Sequence, residues 1–178
     1  MDADGSDPPA RPLRVLFVCH ANLCRSPLAE GILRHRAAER GLADRVEVDS
    51  AGTYAMDGSP PHPRSVAIAR AHGIDLSGRS RSLEPEDLAR FDEVLVMDRR
   101  NLADVERYVR LSAFGRVEGP RARIRLARTV ADPGARGADL DVPDPFRGGA
   151  EGYARVFEML DRIAHALLDE RFGPRPAG

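Results

Sequence analysis

Two hydrophobic rhythms take turns along this chain. Val15 to Val18 is a short unbroken apolar run rich in β-branched residues, and Glu93 to Met97 is a second such run. Runs of that kind predict strands buried on both faces, as in a parallel sheet. Arg45 to Ser50 alternates apolar and polar residues and predicts another strand, with a weaker fourth at Arg123 to Leu126. Between them the period lengthens. Leu28 to Arg40, closed by Gly41, and Arg64 to His72, closed by Gly73, predict helices, as does Arg99 to Arg110 behind Asp98 as its cap. A further helix start, with acidic residues in its first turn, lies within Ser82 to Leu88. Ala150 to Phe172 sets Val156, Leu160, Ile163, Leu167 and their neighbours on one face of a long amphipathic helix. Ala51 to Pro63 and Val130 to Pro143 are punctuated by Gly and Pro and read as loops.

Strands alternating with helices predict right-handed βαβ units. The expected fold is α/β: a doubly wound, four-stranded parallel sheet with helices on both faces, flavodoxin-like. Nothing repeats and no internal linker interrupts the pattern, so residues 13–172 read as one domain. The aperiodic polar ends, 1–12 and 173–178, read as disordered tails. In such sheets ligands sit beyond the carboxyl ends of the strands, where Cys19 and Ser50 fall.

The junction after the first strand carries the chemistry. Cys19 is followed by five residues, then Arg25, then Ser26-Pro27 at the expected helix start. A short loop feeding a helix N-terminus gathers backbone N–H groups around one point, and the helix dipole adds positive potential. Such a nest binds a phosphate-like dianion, here on His20, Ala21, Asn22, Leu23, Cys24 and Arg25. Positive potential favours the thiolate, the nucleophilic form of cysteine. Arg25 can fork onto two phosphate oxygens and meet the charge that develops during transfer. The chemistry suggested is attack by Cys19 on a phosphate ester. The plainer alternative is a cysteine that fills space at the end of a buried strand.

Cleavage is faster if the leaving oxygen receives a proton, so a carboxylic acid should face the nucleophile. Asp144 stands out because Pro143 and Pro145 fix the backbone on both sides of it. On the residues alone, an ordinary Asp-Pro turn before the last helix is the favoured reading.

Composition narrows the remaining choices. The chain has 178 residues, 42% hydrophobic and 31% charged, as expected for a globular domain. The formal net charge is −1, which leaves no basic excess to neutralise nucleic-acid phosphates. No apolar run reaches membrane-spanning length, and the acidic, proline-rich N-terminus is not a signal peptide, so the expectation is a cytoplasmic protein with no membrane partner. The only two cysteines are Cys19 and Cys24. They suit a reducing compartment, could form a reversible disulfide that shields the nucleophile, and with no suitably spaced His do not suggest a metal site. Cys24 could equally pack under the loop. No cofactor is expected.

Cys19-His20-Ala21-Asn22-Leu23-Cys24-Arg25-Ser26-Pro27 resembles the active-site loop of the low-molecular-weight protein tyrosine phosphatases, in their bacterial form. Asp144-Pro145-Phe146 resembles the family's Asp-Pro-aromatic motif, which supplies the general acid before the C-terminal helix. Asp49-Ser50-Ala51-Gly52, His72-Gly73-Ile74 and Val94 to Asp98 resemble further family segments, so the likeness runs from about Leu13 to Phe172. It implies a phosphocysteine mechanism with Cys19 as nucleophile, Arg25 as stabiliser and Asp144 as acid and base. It also implies a loop held by Asn22, Ser26, Ser50 and His72. The substrate would be a tyrosine-phosphorylated protein or peptide, and inorganic phosphate the product. Without the resemblance, His72 would read as a charge at a helix end.

Three departures matter. Ala21 stands where the family usually has Gly, which would be a burden if that position needs φ > 0. The aromatic residue of the loop after the second strand is missing, so Tyr54, Met56 and Phe146 are the expected cleft walls, although Tyr54 and Met56 could simply cover their own loop. A family tyrosine pair is replaced by Phe146-Arg147. Among other readings, arsenate reduction would need more cysteines. A phosphoarginine phosphatase would carry a polar Thr in place of Leu23. A phosphopeptide- or oxyanion-binding module would need neither nucleophile nor acid, and a plain mononucleotide binder would show no dependence on a thiol.

Overall fold

In the computed structural model, residues 11–112 and 122–175 are described. Four strands, β1 (Leu13–Cys19), β2 (Val46–Gly52), β3 (Glu93–Val96) and β4 (Arg123–Leu126), form one parallel sheet in the order β2-β1-β3-β4. The helices are α1 (Arg25–Glu39), α2 (Pro63–Ala71), α3 (Asp87–Arg90), α4 (Arg99–Ser112), α5 (Arg128–Ala131) and α6 (Ala150–Phe172).

Alternation along the central strands divides the core into two layers. Val15, Phe17, Leu95 and Met97 face one way and pack with Leu28 and Ile32 of α1 and Leu160 and Ile163 of α6. Leu16, Val18, Val94 and Val96 face the other way, onto Leu88, Phe91 and Val105. With both faces covered, β1 has no polar side, which is why its sequence is an unbroken apolar run. Register then fixes the site: Cys19 lies opposite Gly52, and Val18 lies between Ala51 and Val96.

Several boundaries differ from the sequence expectation. Helix α1 begins at Arg25, so the loop passes straight into the helix and Pro27 lies in the first turn, where an N–H has no intrahelical partner to lose. The stretch expected to be loop at Val130 to Pro143 contains the end of α5 and a 3₁₀ turn, Gly137–Leu140. Single turns are too short to show a period. The tails expected at 1–12 and 173–178 lie mostly outside the described residues. Arg11 pairs with Asp92 at 2.6 Å, and the Gly173 carbonyl accepts from Arg40. Among the described residues, no helix is long and apolar enough to cross a membrane.

Candidate active site

The site begins where β1 ends. Thr53 and Tyr54 donate their backbone N–H groups to the carbonyls of Cys19 and His20 at 2.9 and 2.8 Å, so the loop after β2 is pinned against the loop after β1. Gly52 makes that approach possible. A Cβ there would stand 2.7 Å from the His20 carbonyl oxygen and 3.0 Å from the Asn22 nitrogen. The loop from His20 to Cys24 then turns through Asn22, whose φ of 55° is the one positive value at a non-glycine among the described residues. Asn tolerates this region better than most residues, and here its side chain fixes it. Asn22 Nδ2 donates to Ser26 Oγ and to Ser50 Oγ, both at 2.9 Å, while Oδ1 accepts the Arg81 N–H at 2.9 Å. Ala21 has no positive φ, so alanine in place of glycine carries no backbone strain.

Cys19 is buried, with its sulfur 2.9 Å from Ser26 Oγ. The Ser26 oxygen accepts from Asn22, and its proton has two acceptors within reach, the sulfur at 2.9 Å and the Ala51 carbonyl at 3.3 Å. Among the described residues, the N–H groups of His20 to Cys24 donate to no protein acceptor, and they lie in the loop between Cys19 and the start of α1. That arrangement suits a dianion.

Arg25 is 3% exposed and anchored on one side only. Its Nη1 donates to Asp98 Oδ2 at 2.6 Å and to the Val142 carbonyl at 3.0 Å. Its Nη2 lies 3.5 Å from Asp144 Oδ2. Burial disfavours the guanidinium charge, but the Cys19 sulfur and the Asp98 and Asp144 carboxylates more than offset it, and the net direction is upward. Asp98 does two jobs, because its other oxygen accepts the Asn101 N–H at 2.8 Å and caps α4. Asp98→Asn keeps an acceptor for the cap but loses the charge-assisted bond, worth about 1.5 kcal/mol. The expected result is a kcat about tenfold lower with little change in melting temperature, measured alongside thermal unfolding.

Asp144 sits across the cavity on the segment between Val142 and Gly149. The segment is stitched down by Val142 N–H to the Met97 carbonyl at 2.7 Å and by the Phe146 N–H to Asp144 Oδ1 at 3.1 Å. Cys19, His20, Ala21, Leu23, Cys24, Arg25, Asp144 and Phe146 together line a cavity of about 200 Å3.

Not every expected residue comes to this place. His72 is exposed and stacks on Phe157 with ring centres 3.9 Å apart. Among the described residues it makes no hydrogen bond to Asn22, Ser26 or Ser50; it stands at the C-terminal cap of α2. Glu30 holds Ser50 instead, accepting its hydroxyl at 2.6 Å. Met56 is 79% exposed, does not line the cavity, and accepts the Ser80 hydroxyl at its carbonyl. Tyr54 also lies off the cavity, with its ring 5.1 Å from that of His20. The walls are therefore Phe146, Leu23 and His20.

Sequence reasoning missed a polar chain behind Cys24. The Cys24 sulfur is 3.4 Å from the Tyr153 hydroxyl, which lies 3.1 Å from His62 Nδ1. That nitrogen also accepts the Arg64 N–H, so it takes the Tyr153 hydroxyl as donor, and the Tyr153 oxygen is left to accept the Cys24 thiol proton. Burial pushes the Cys24 thiol up, and its contact with the Tyr153 hydroxyl only partly opposes this. His62 meets Phe146 edge-on at 5.6 Å, and Arg64 donates to the Gly148 carbonyl, so the start of α2 braces the segment that carries Asp144. No local pattern marks residues so far apart.

A thiol, an arginine and a carboxyl line one cavity beside a loop of N–H groups unpaired among the described residues, at the end of a central parallel strand. The chain belongs to the low molecular weight phosphotyrosine protein phosphatase family, whose model matches residues 14–172. It is 38% identical over 156 residues to a low molecular weight protein-tyrosine-phosphatase of Streptomyces coelicolor, covering 87% of this chain and 91% of that one. It is 34% identical over 157 residues to the human low molecular weight phosphotyrosine protein phosphatase, covering 88% and 94%. Among solved structures, a Drosophila arginine phosphatase superposes with a TM-score of 0.80 at 29% identity, covering 90% of this chain and 98% of that one.

Proposed function

We propose that the protein hydrolyses phosphotyrosine monoesters of proteins through a phosphocysteine intermediate. The observation that carries this reading is the convergence of Cys19, Arg25 and Asp144 on one cavity. The Cys19 thiolate attacks phosphorus while the bond to the phenolic oxygen breaks, and Asp144 gives that oxygen its proton. Asp144, now a carboxylate, takes a proton from the water that attacks the phosphocysteine, and inorganic phosphate leaves. Arg25 and the N–H groups of His20 to Arg25 hold the equatorial oxygens throughout. Asn22, Ser26 and Ser50, with Glu30 behind them, keep the loop in shape before substrate arrives.

The same reading requires no cofactor, nucleic acid or membrane, and we place the protein in the cytoplasm, where both thiols stay reduced. It also keeps Cys24 as the partner in a reversible disulfide with Cys19. The likeness to an arginine phosphatase favours a second reading, phosphoarginine hydrolysis on the same fold. Leu23 and Phe146 on the cavity wall argue for an aromatic ester. Phosphate release from matched phosphotyrosine and phosphoarginine peptides separates the two. The expected outcome is a kcat/KM for phosphotyrosine higher by about tenfold or more, the worth of roughly one apolar contact over a ring. A reversed preference would move the protein to the second class.

A further inference from the structure

A second groove begins where the catalytic cavity ends. Thr53, Tyr54, Asp104, Arg107, Tyr108 and Leu111 line a depression of about 270 Å3, larger than the 200 Å3 of the catalytic cavity. The two share a wall: Tyr54 faces the groove, while its ring rests 5.1 Å from His20, which lines the cavity. That wall is fixed, since the Tyr54 N–H donates to the His20 carbonyl and Thr53 Oγ1 donates to Asp104 of α4 at 3.3 Å. The described large hydrophobics that are exposed include Phe146 at 54%, Tyr54 at 57% and Leu111 at 61%. Phe146 lines the cavity, and Tyr54 and Leu111 line the groove beside it. Exposed apolar side chains gathered at adjoining depressions mark a binding surface.

We propose that this groove docks a large apolar side chain of the phosphoprotein substrate, one to three residues from the phosphorylated tyrosine. The inference rests on the phosphotyrosine reading above. Continuity with the catalytic cavity selects the occupant, because a peptide whose phosphotyrosine enters one depression must cross Tyr54 to leave by the other. Charge does not select it: Asp104 and Arg107 give the groove one group of each sign, while Tyr54, Tyr108 and Leu111 supply its apolar floor.

The test scans a leucine through positions −3 to +3 of a phosphotyrosine peptide in an alanine and serine background. Leucine at one or more positions is expected to raise kcat/KM about tenfold, through KM, as one partly buried leucine side chain allows. Leu111→Glu, at an exposed position outside the catalytic cavity, should abolish that gain and leave p-nitrophenyl phosphate turnover unchanged. A flat scan, or a scan unchanged in Leu111→Glu, would overturn the proposal. So would a Leu111→Glu protein that changes oligomeric mass by sedimentation without changing peptide preference, since the groove would then be a contact between copies. Silence toward p-nitrophenyl phosphate and every peptide would instead count against the phosphatase reading itself.

Discussion

Cys19→Ser should reduce turnover by on the order of 10⁵-fold or more, the scale on which removing a catalytic nucleophile acts. A serine hydroxyl at this position would need a base to ionise it. The groups next to the Cys19 sulfur are the Ser26 hydroxyl and, behind it, the Asn22 amide, neither of which accepts a proton readily. Binding should survive. The N–H groups of the loop, Arg25 and the Asn22 network contribute nothing through the sulfur except its charge, and removing that charge lowers repulsion toward a dianion. Inorganic phosphate or vanadate should therefore bind the variant at least as tightly as the parent by calorimetry, while rapid quench shows no covalent phosphoenzyme. If oxyanion binding disappeared along with turnover, the loop would depend on the thiolate for its shape, and the nest argument would fail. Residual hydrolysis within tenfold of the parent would remove Cys19 from the mechanism altogether.

How far the sequence could be read follows from which interactions are local. Strand β1 and helix α6 were readable because burial on both faces, or on one helical stripe, imprints a period on consecutive residues. The Cys19-to-Arg25 loop was readable because strand, loop and helix are contiguous. The two prolines made Asp144 conspicuous, but the residues alone favoured a plain turn, and it was the likeness to the Asp-Pro-aromatic motif that made it the candidate acid. What escaped was side-chain direction. His72 beside Gly73 sits at the right place in the chain but at the end of α2, where it turns onto Phe157 rather than to the loop. Met56 sits in the expected loop and points to solvent. What also escaped was pairing at a distance: Arg25 with Asp98 is 73 residues apart, and Cys24 with Tyr153 is 129. A helix-cap signal at Asp98 gives no hint that its second oxygen holds Arg25. The site is thus half written in motifs and half in the packing of α4 and α6 onto the sheet.

Asp144→Asn should lower kcat for a phosphotyrosine peptide by about 10²–10⁴-fold, the usual contribution of a general acid and base. The geometry puts the carboxyl in the cavity that holds the Cys19 sulfur: Asp144 lines the same space as Cys19 and Arg25, with Oδ2 3.5 Å from Arg25 Nη2. A carboxyl so placed can reach the leaving oxygen of an ester attacked by Cys19. The asparagine keeps the hydrogen bond from the Phe146 N–H, and the two prolines keep the backbone, so the loss is in chemistry rather than shape. The defect should depend on the leaving group. A p-nitrophenolate departs without a proton, so the first step on p-nitrophenyl phosphate should suffer far less than on phenyl phosphate or a phosphotyrosine peptide. Hydrolysis of the phosphocysteine should then become rate-limiting, visible as a burst of p-nitrophenol followed by slow turnover. The arm of the pH–rate profile that requires the protonated acid should disappear. Wild-type rates across the pH range, or an equal loss for every leaving group, would show that the proton comes from elsewhere and that Asp144 only steadies Arg25.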